Sequence, residues 1–429
     1  MKTVISPKFR YALILIAQLI LGATFVFSGF VKGDDPYGFV YKIQDYLEAF
    51  GLYSLATVAF PAAFSLIVLE FLLGINILLG MHVKITGILL LIFLGIMTPL
   101  TLYLALANPV EDCGCFGDAL IITNWQTFGK NIVLSGLAIF IFIYRKEVKS
   151  PFSDKMQWLA TLSSAVYILG TGIIGVLFSP VFDFRPYKVG VSIPEAMTLP
   201  EGAAIDEYES SYVYAKNGEE KVFSRLEDVP ADDDTWTFVA TNRKLIKKGD
   251  QPTIHDFVIT DIETGDDITE KILTLPDFSF MLISRNLAEA NIDHIEKIND
   301  VHDFCTSYGY GFYCLTSSTP EQIAQWKRRT AAEYPFCTMD ETTLKTILRS
   351  NPGLMLIKNG VIYDKWHYNE FPSDAELSQA LDASPLGSIN YPDNRFRVMT
   401  VSLSFVMLLL TVFGLDKLAL LIQRWKRKH

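Results

Sequence analysis

Six apolar runs punctuate the chain, near Tyr11 to Val31, Leu55 to Leu79, Ile85 to Ala107, Phe128 to Tyr144, Trp158 to Phe178 and Val398 to Leu415. A helix needs roughly 17 to 25 apolar residues to cross a hydrocarbon core about 30 Å thick, so each run predicts one membrane span. Between the fifth and sixth runs the pattern changes to short alternating stretches broken by polar turns, which predicts a folded domain outside the lipid.

That domain opens strand-rich. SSYVYAKNGEEKVFS alternates on both sides of Asn217-Gly218, a hairpin signal, and TWTFVATN returns to strand character after the acidic run Asp232 to Asp234. HDFVITDIETGDDIT reads as a second hairpin-like unit turning at Thr264-Gly265. From Asp277 the order becomes strand (FSFMLIS), helix (LAEANIDHIEKINDVHDFC), strand (GFYCLTS), helix (PEQIAQWKRRTAAEY), strand (YPFCTM) and helix (ETTLKTILRS, capped by Asp340). A hairpin over Asn359-Gly360 and a helix DAELSQALD capped by Ser373 complete it.

Charge orients the spans. Lys2, Lys8 and Arg10 precede the first; His82 and Lys84 lie between the second and third; Arg145, Lys146, Lys149 and Lys155 lie between the fourth and fifth; and RWKRK follows the sixth. The positive-inside rule puts all of these in the cytoplasm with both termini, and the large domain in the periplasm, which makes the chain a multi-pass inner-membrane protein with membrane lipid as its surroundings. The first span reads as a retained helix, because its apolar run is long and no A-x-A-like cleavage site follows cleanly. The outward region carries most of the acidic residues of a chain whose net charge is −10, so no nucleic-acid partner is expected.

Two features carry chemistry. Glu70 stands inside the second span, where a carboxylate costs about 2.5 kcal/mol or more and therefore faces the bundle interior with a partner. It reads equally as a proton site and as a structural hydrogen bond, the carboxyl staying protonated. Gly22, Ser28 and Gly29 in the first span read as close-packing positions. The second feature is VEDCGCFGDALIITNW, where Cys113 and Cys115 flank a glycine that relieves the backbone of a very tight ring. A disulfide closed there is strained, and strain raises its reduction potential, which suits cycling rather than stapling. Metal binding is a weaker reading, because no histidine lies near and two thiolates are too few for a closed site.

The segments LILGATFVFSGFVKGDDPYGF, LEFLLGINILLG and DCGCFGD followed by NWQTFGKNIVL resemble the DoxX-like membrane family, and CGCFGD resembles its methylamine-utilisation MauE branch, over roughly the first 145 residues. The resemblance implies a four-helix membrane unit and a redox role for Cys113 and Cys115, DoxX proteins being associated with quinone-linked sulfur oxidation and MauE proteins with disulfide formation in an exported subunit. From about Pro252 to Ala383 the element order resembles a thioredoxin-like domain of the TlpA type, with Pro352 in RSNPGLMLIKNG at the place of the family's cis-proline. The family's CxxC position reads Ser284-Arg285-Asn286-Leu287, so that dithiol is missing.

The expected fold is thus an α-helical membrane bundle with an extracytoplasmic α/β thioredoxin-like domain. It divides into a four-helix unit (1–147), a fifth span (148–180), a strand-rich segment (181–251), the thioredoxin-like domain (252–392) and a sixth span with a basic tail (393–429). Cys305, Cys314 and Cys337 read as core residues, with a Cys305–Cys314 disulfide as the alternative; His294, His302 and His367 are dispersed and predict no metal site. Two functions are expected. In one, Cys113 and Cys115 take electrons from thiols of an exported protein and pass them to a membrane quinone, with Glu70 relaying a proton. In the other, the chain is a non-catalytic scaffold whose thioredoxin-like domain binds an exported partner. Redox work by the scattered cysteines of the outer domain ranks behind both.

Overall fold

The computed structural model describes residues 6–110, 112–199, 202–204, 207–216, 219–223, 236–247 and 249–428. Among these, six helices are long and apolar enough to cross a membrane. Helix α1 (Pro7–Asp34) starts where the Ser6 hydroxyl accepts from Phe9 N and proline occupies the first turn, which has no N–H to lose. Asp35 ends α1 and caps α2 (Pro36–Ala49), accepting from Gly38 N at 3.0 Å. Next come α3 (Ala59–Leu78), α4 (Val83–Ala107), α5 (Asn124–Ile143) with a Thr123/Gln126 capping box, and α6 (Gln157–Leu177).

Glycines let α1 and α3 touch backbone to backbone. A Cβ on Gly29 would lie 2.6 Å from Phe71 N, and one on Gly74 would lie 2.5 Å from Val26 N. Leu21, Phe25, Leu73, Ile77, Leu90 and Leu134 fill the interior between α1, α3, α4 and α5. The segments carrying the basic residues meet at one end of the bundle: Arg10 pairs with Glu147 at 2.9 Å, His82 N donates to Gln157, and Ser153 N donates to Asp416 of the last helix.

At the other end stand α2, the Cys113–Cys115 loop and an α/β unit. After a short turn of helix, α7 (Ile193–Ala196), strands β1 (Glu207–Lys216), β2 (Glu219–Phe223) and β3 (Thr237–Lys247) form an antiparallel sheet in the order β2-β1-β3. The expected hairpin pairing is present; its Asn217-Gly218 turn and the Asp232–Asp234 run lie outside the described residues.

A six-stranded sheet follows, built from β4 (Thr260–Asp261), β5 (Phe278–Ser284), β6 (Gly311–Thr316), β7 (Phe336–Thr338), β8 (Gly353–Lys358) and β9 (Val361–His367) in the order β4-β7-β6-β5-β8-β9. Between them run α8 (Thr269–Leu273), α9 (Ile295–Tyr308), α10 (Pro320–Thr330) and α11 (Glu341–Ile347), and α12 (Asn394–Lys428) closes the chain. Strand β5 is parallel to β6 and antiparallel to β8, and β8 is antiparallel to β9, which is the thioredoxin-like arrangement. All seven β5 residues are buried because cores lie on both faces of the sheet, one around Phe280 and Trp326, the other around Phe257 and Ile347. Asn359 and Gly360 both take positive φ, as a tight hairpin turn between β8 and β9 requires.

Four expectations change. The stretch between the first two spans, to which the sequence pattern assigned no element, holds α2. The helix expected from Leu287 begins only at Ile295, because Asn286 and Asn291 side chains accept from Ala288 N and Asp293 N and hold the preceding residues in turns. The helix expected after Ser373 is a series of turns: Leu377 and Leu381 are few anchors for a segment shorter than the ~12 residues at which isolated helices become marginal. The hairpin at Thr264-Gly265 shrinks to the two-residue β4 and a single bridge between Thr260 and Asp267.

Candidate functional site: a buried dithiol beneath an amphipathic helix

The dithiol loop is pinned at every turn. Asn108, left-handed at φ 46°, stops α4, and the Asn124 amide donates to Asn108 Oδ1 and to Val110 O at 3.0 and 2.9 Å. The Asp112 carboxylate accepts from Gly114 N at 2.9 Å, and Gly114 then takes φ 63°. Only glycine serves there, since a Cβ would also meet the Lys42 stem at 2.7 Å. Helix α2 lies over the loop: Lys42 pairs with Asp112 at 3.0 Å, and the Tyr46 hydroxyl donates to Cys113 O at 2.8 Å.

This folding brings the Cys113 and Cys115 sulfurs to 3.1 Å as free thiols, 5 % and 9 % exposed. A bonded pair stands about 2.05 Å apart, so closing the disulfide takes a movement of about 1 Å. The two thiols are inequivalent. The hydrogen bond from Cys113 holds Cys115 down at about 6 against the opposing effect of burial, and the charges of Lys130 and Lys32 act in the same direction. Donating that bond, together with burial, pushes Cys113 up. Cys115 is therefore the more acidic of the two thiols.

Glu70 has a partner that the sequence reading did not single out. Lys32, 4 % exposed on the last turn of α1, donates to both Glu70 oxygens at 2.9 and 2.8 Å. Glu70 meets this partner because α1 continues past Val31 and carries Lys32 inward. Ser28, one turn earlier, lies 2.6 Å from Glu70 Oε2 and 2.7 Å from Cys115 O, so it links the carboxylate to the dithiol loop instead of serving close packing. Gly22 and Gly29 do serve packing. Ser28, Lys32, Glu70, Cys115 and Lys130 share the wall of a cavity of about 30 Å³, room for one or two waters.

The α/β unit faces this site with the end of its sheet that carries Ser284 and the cis Asn351–Pro352 bond. Ser284 donates to Asn351 Oδ1 at 2.7 Å and the Asn351 amide donates to Asn286 O at 2.8 Å, so the Ser284–Leu287 segment abuts the cis Asn351–Pro352 bond. Just before it, Arg349 reaches the membrane unit. Its Nε donates to Asp35 at 2.9 and 3.1 Å and its Nη2 contacts Asp35 and Asp118, each at 2.8 Å. Arg285, Lys345 and Arg349 surround the Tyr41 ring of α2 at 5.7, 5.2 and 5.6 Å. Asp34 binds Val181 N and Phe182 N, so adjacent acids fasten both the start and the cis-proline end of the α/β unit.

Cys305, Cys314 and Cys337 are separate free thiols in the two cores, without the Cys305–Cys314 bond, and burial pushes all three up, Cys337 to about 12. His294 meets Asn369, while the His302 ring packs on Phe312 and Tyr334. Lys32, Lys42, Tyr46 and Arg349 escaped the sequence reading. For α2 a signal existed: Asp35-Pro36 as a helix start, then Val40, Ile43 and Leu47 at helical spacing, which puts Lys42 and Tyr46 one turn apart on one face.

A family model described as methylamine utilisation protein MauE matches residues 10–144, and one described as a domain of unknown function, DUF8463, matches residues 208–248. No curated protein matches the chain. A solution structure described as a candidate protein disulfide isomerase from Bacteroides thetaiotaomicron is 14 % identical, covers 33 % of this chain and 91 % of its own, and has a TM-score of 0.25. The thioredoxin-like assignment rests on the strand order and not on that likeness. The chain is a multi-pass membrane protein with a MauE-like part and a thioredoxin-like α/β unit.

Proposed function

We propose that the chain is a membrane thiol–disulfide oxidoreductase working through Cys113 and Cys115 on the extracytoplasmic side of an inner membrane. The observation that carries this reading is the pair of unequal thiols 3.1 Å apart, with Lys130 and Lys32 favouring the Cys115 thiolate. In the oxidised form a thiolate of an exported protein attacks Cys113 and displaces Cys115, the better leaving group because its thiol is the more acidic. The partner's second thiolate then attacks the mixed disulfide and releases Cys113. Two electrons and two protons have moved from the partner's dithiol to Cys113 and Cys115. A membrane quinone restores the disulfide, taking both electrons and both protons to become the quinol. Glu70 exchanges the Cys115 proton through water in the shared cavity, and Lys32 holds the carboxylate in place.

The α/β unit acts as a cap. It has no cysteine pair at the end of β5, and its cis-proline end is turned onto α2 and Asp118. That orientation counts against the scaffold reading, in which this end receives an exported protein. The test is Cys113→Ser and Cys115→Ser in the full chain, assayed for oxidation of a reduced dithiol substrate coupled to quinone reduction. Both variants are expected to lose turnover, because neither can form the Cys113–Cys115 disulfide that the partner's thiolate attacks. Full turnover in both would end the proposal.

A further inference from the structure

The α/β unit and the membrane helices leave a cavity of about 940 Å³ between α1, residues 179–189, the end of β9 and the start of α12. That is room for a whole ligand, far more than ordered water needs. Part of its wall is apolar and belongs to helices that cross the lipid, Phe27 and Phe30 on α1 and Val398 on α12. Phe27 is 43 % and Val398 52 % exposed, so this wall runs on into lipid-facing surface.

The rest of the wall is charged. Asp183 pairs with both Arg185 and Lys365, and that group is largely self-contained. Four further charged side chains line the cavity and make no ion pair among the described residues. Lys188 is exposed and its ammonium meets no acceptor there, while Arg397 gives Nη1 to Val181 O and touches no carboxylate. Asp364 accepts from the Lys365 backbone N at 2.8 Å, and Glu370 from Ser179 N and Oγ at 3.0 and 2.8 Å, neither from a cation. Burial raises the Asp364 carboxyl, as expected of an acid half out of water without a counter-charge. Two unmatched cations and two unmatched carboxylates therefore share one cavity with an apolar wall.

That combination selects a ligand. A neutral head leaves all four charges unmatched, an anionic head leaves the two carboxylates and a cationic head the two cations. A phosphate accepts from several charged donors at once, and a primary ammonium gives its N–H groups to carboxylates. We infer that this cavity holds a zwitterionic glycerophospholipid with a primary ammonium: Lys188 and Arg397 take the phosphate, Asp364 and Glu370 the ammonium, and the chains leave along Phe27, Phe30 and Val398. The site stands whether or not Cys113 and Cys115 cycle. Val31, Phe182 and Phe184 also wall a smaller cavity of about 70 Å³ that Gly114 and Asp118 close, so the lipid braces the segment against which the dithiol loop rests.

The test is native mass spectrometry of the full chain from detergent micelles holding equal amounts of phosphatidylethanolamine, phosphatidylcholine and phosphatidylglycerol with matched chains. The unsubstituted chain should retain one phosphatidylethanolamine, favoured about tenfold over the other two. Lys188→Gln should weaken that retention about tenfold; its side chain has no other contact among the described residues, and an unchanged thermal unfolding curve separates lost binding from lost fold. Asp364→Asn with Glu370→Gln should abolish the ethanolamine preference and bring phosphatidylglycerol to parity or above, a reversal that a damaged fold does not produce. Equal retention of the three lipids by the unsubstituted chain, or retention unaltered in both variants, overturns the inference. So does displacement of the lipid by an equal concentration of soluble glycerophosphoethanolamine, which would show that the chains contribute nothing.

Discussion

Replacing Arg349 by alanine tests how the dithiol is kept covered. The guanidinium is 9 % exposed and joins the N-terminus of α2, through Asp35, to the cysteine loop, through Asp118, while belonging to the α/β unit. The Asp35 limb is nearly buried and bidentate, and breaking such a pair costs about 3–5 kcal/mol, because it leaves a desolvated carboxylate behind. The Asp118 limb is 43 % exposed on the acid side and adds less than about 1 kcal/mol. Asp35 keeps its bond from Gly38 N, which moderates the loss, so about 3 kcal/mol is a fair expectation. Every 1.36 kcal/mol is tenfold, so the population in which α2 and the loop separate should rise about a hundredfold. The assay is the rate at which a water-soluble maleimide labels Cys113 and Cys115 at low reagent, where labelling follows the open population. Arg349→Ala should label about a hundred times faster, Asp118→Asn no more than about five times faster, and Arg349→Lys in between, since a point charge cannot reproduce the fork. A rate within about threefold of the unsubstituted chain for Arg349→Ala, with the fold intact by circular dichroism, would refute the reasoning.

Three further outcomes follow from the same contacts. With Cys115 held at about 6, its alkylation by iodoacetamide should be flat above about pH 7 and fall toward tenfold per unit below about pH 6, as the thiolate is protonated; removing the bond from Cys113 in Cys113→Ala should move that fall to higher pH, and an unmoved profile would contradict the assignment. Glu70→Gln should destabilise the bundle by about 3–5 kcal/mol by stranding Lys32, whereas Glu70→Leu with Lys32→Met should recover part of the loss, so thermal unfolding should show the pair to be strongly non-additive. Gly29→Val should disrupt α1–α3 packing, because its Cβ meets the Phe71 backbone and not a flexible side chain; a melting temperature equal to the unsubstituted chain's would oppose this.

The apolar runs were legible because lipid leaves the backbone one solution, and each expected span overlaps a helix of at least twenty residues. The central strands were legible for a related reason: FSFMLIS and GLMLIKNG are apolar throughout or nearly so, and buried strands read that way. Cysteine spacing marked the dithiol. What surrounds it was not legible, since Lys32, Ser28 and Glu70 meet only when α1 and α3 pack, and Arg349 reaches Asp35 across more than three hundred residues of chain. Such contacts depend on where two units dock, which no local pattern records. Asn286 and Asn291 show the opposite failure, local side-chain turns overriding a helical pattern that looked continuous.

The central claim is that Cys113 and Cys115 cycle together while the other three cysteines stay inert. The direct measurement is differential alkylation of the full chain in membranes, quenched during turnover with a reduced dithiol substrate and read by mass spectrometry. The account predicts that Cys113 and Cys115 gain or lose two labels in concert, and that Cys305, Cys314 and Cys337 keep one labelling state in the denatured protein throughout. Constant labelling of Cys113 and Cys115, or a change confined to the other three, would contradict it.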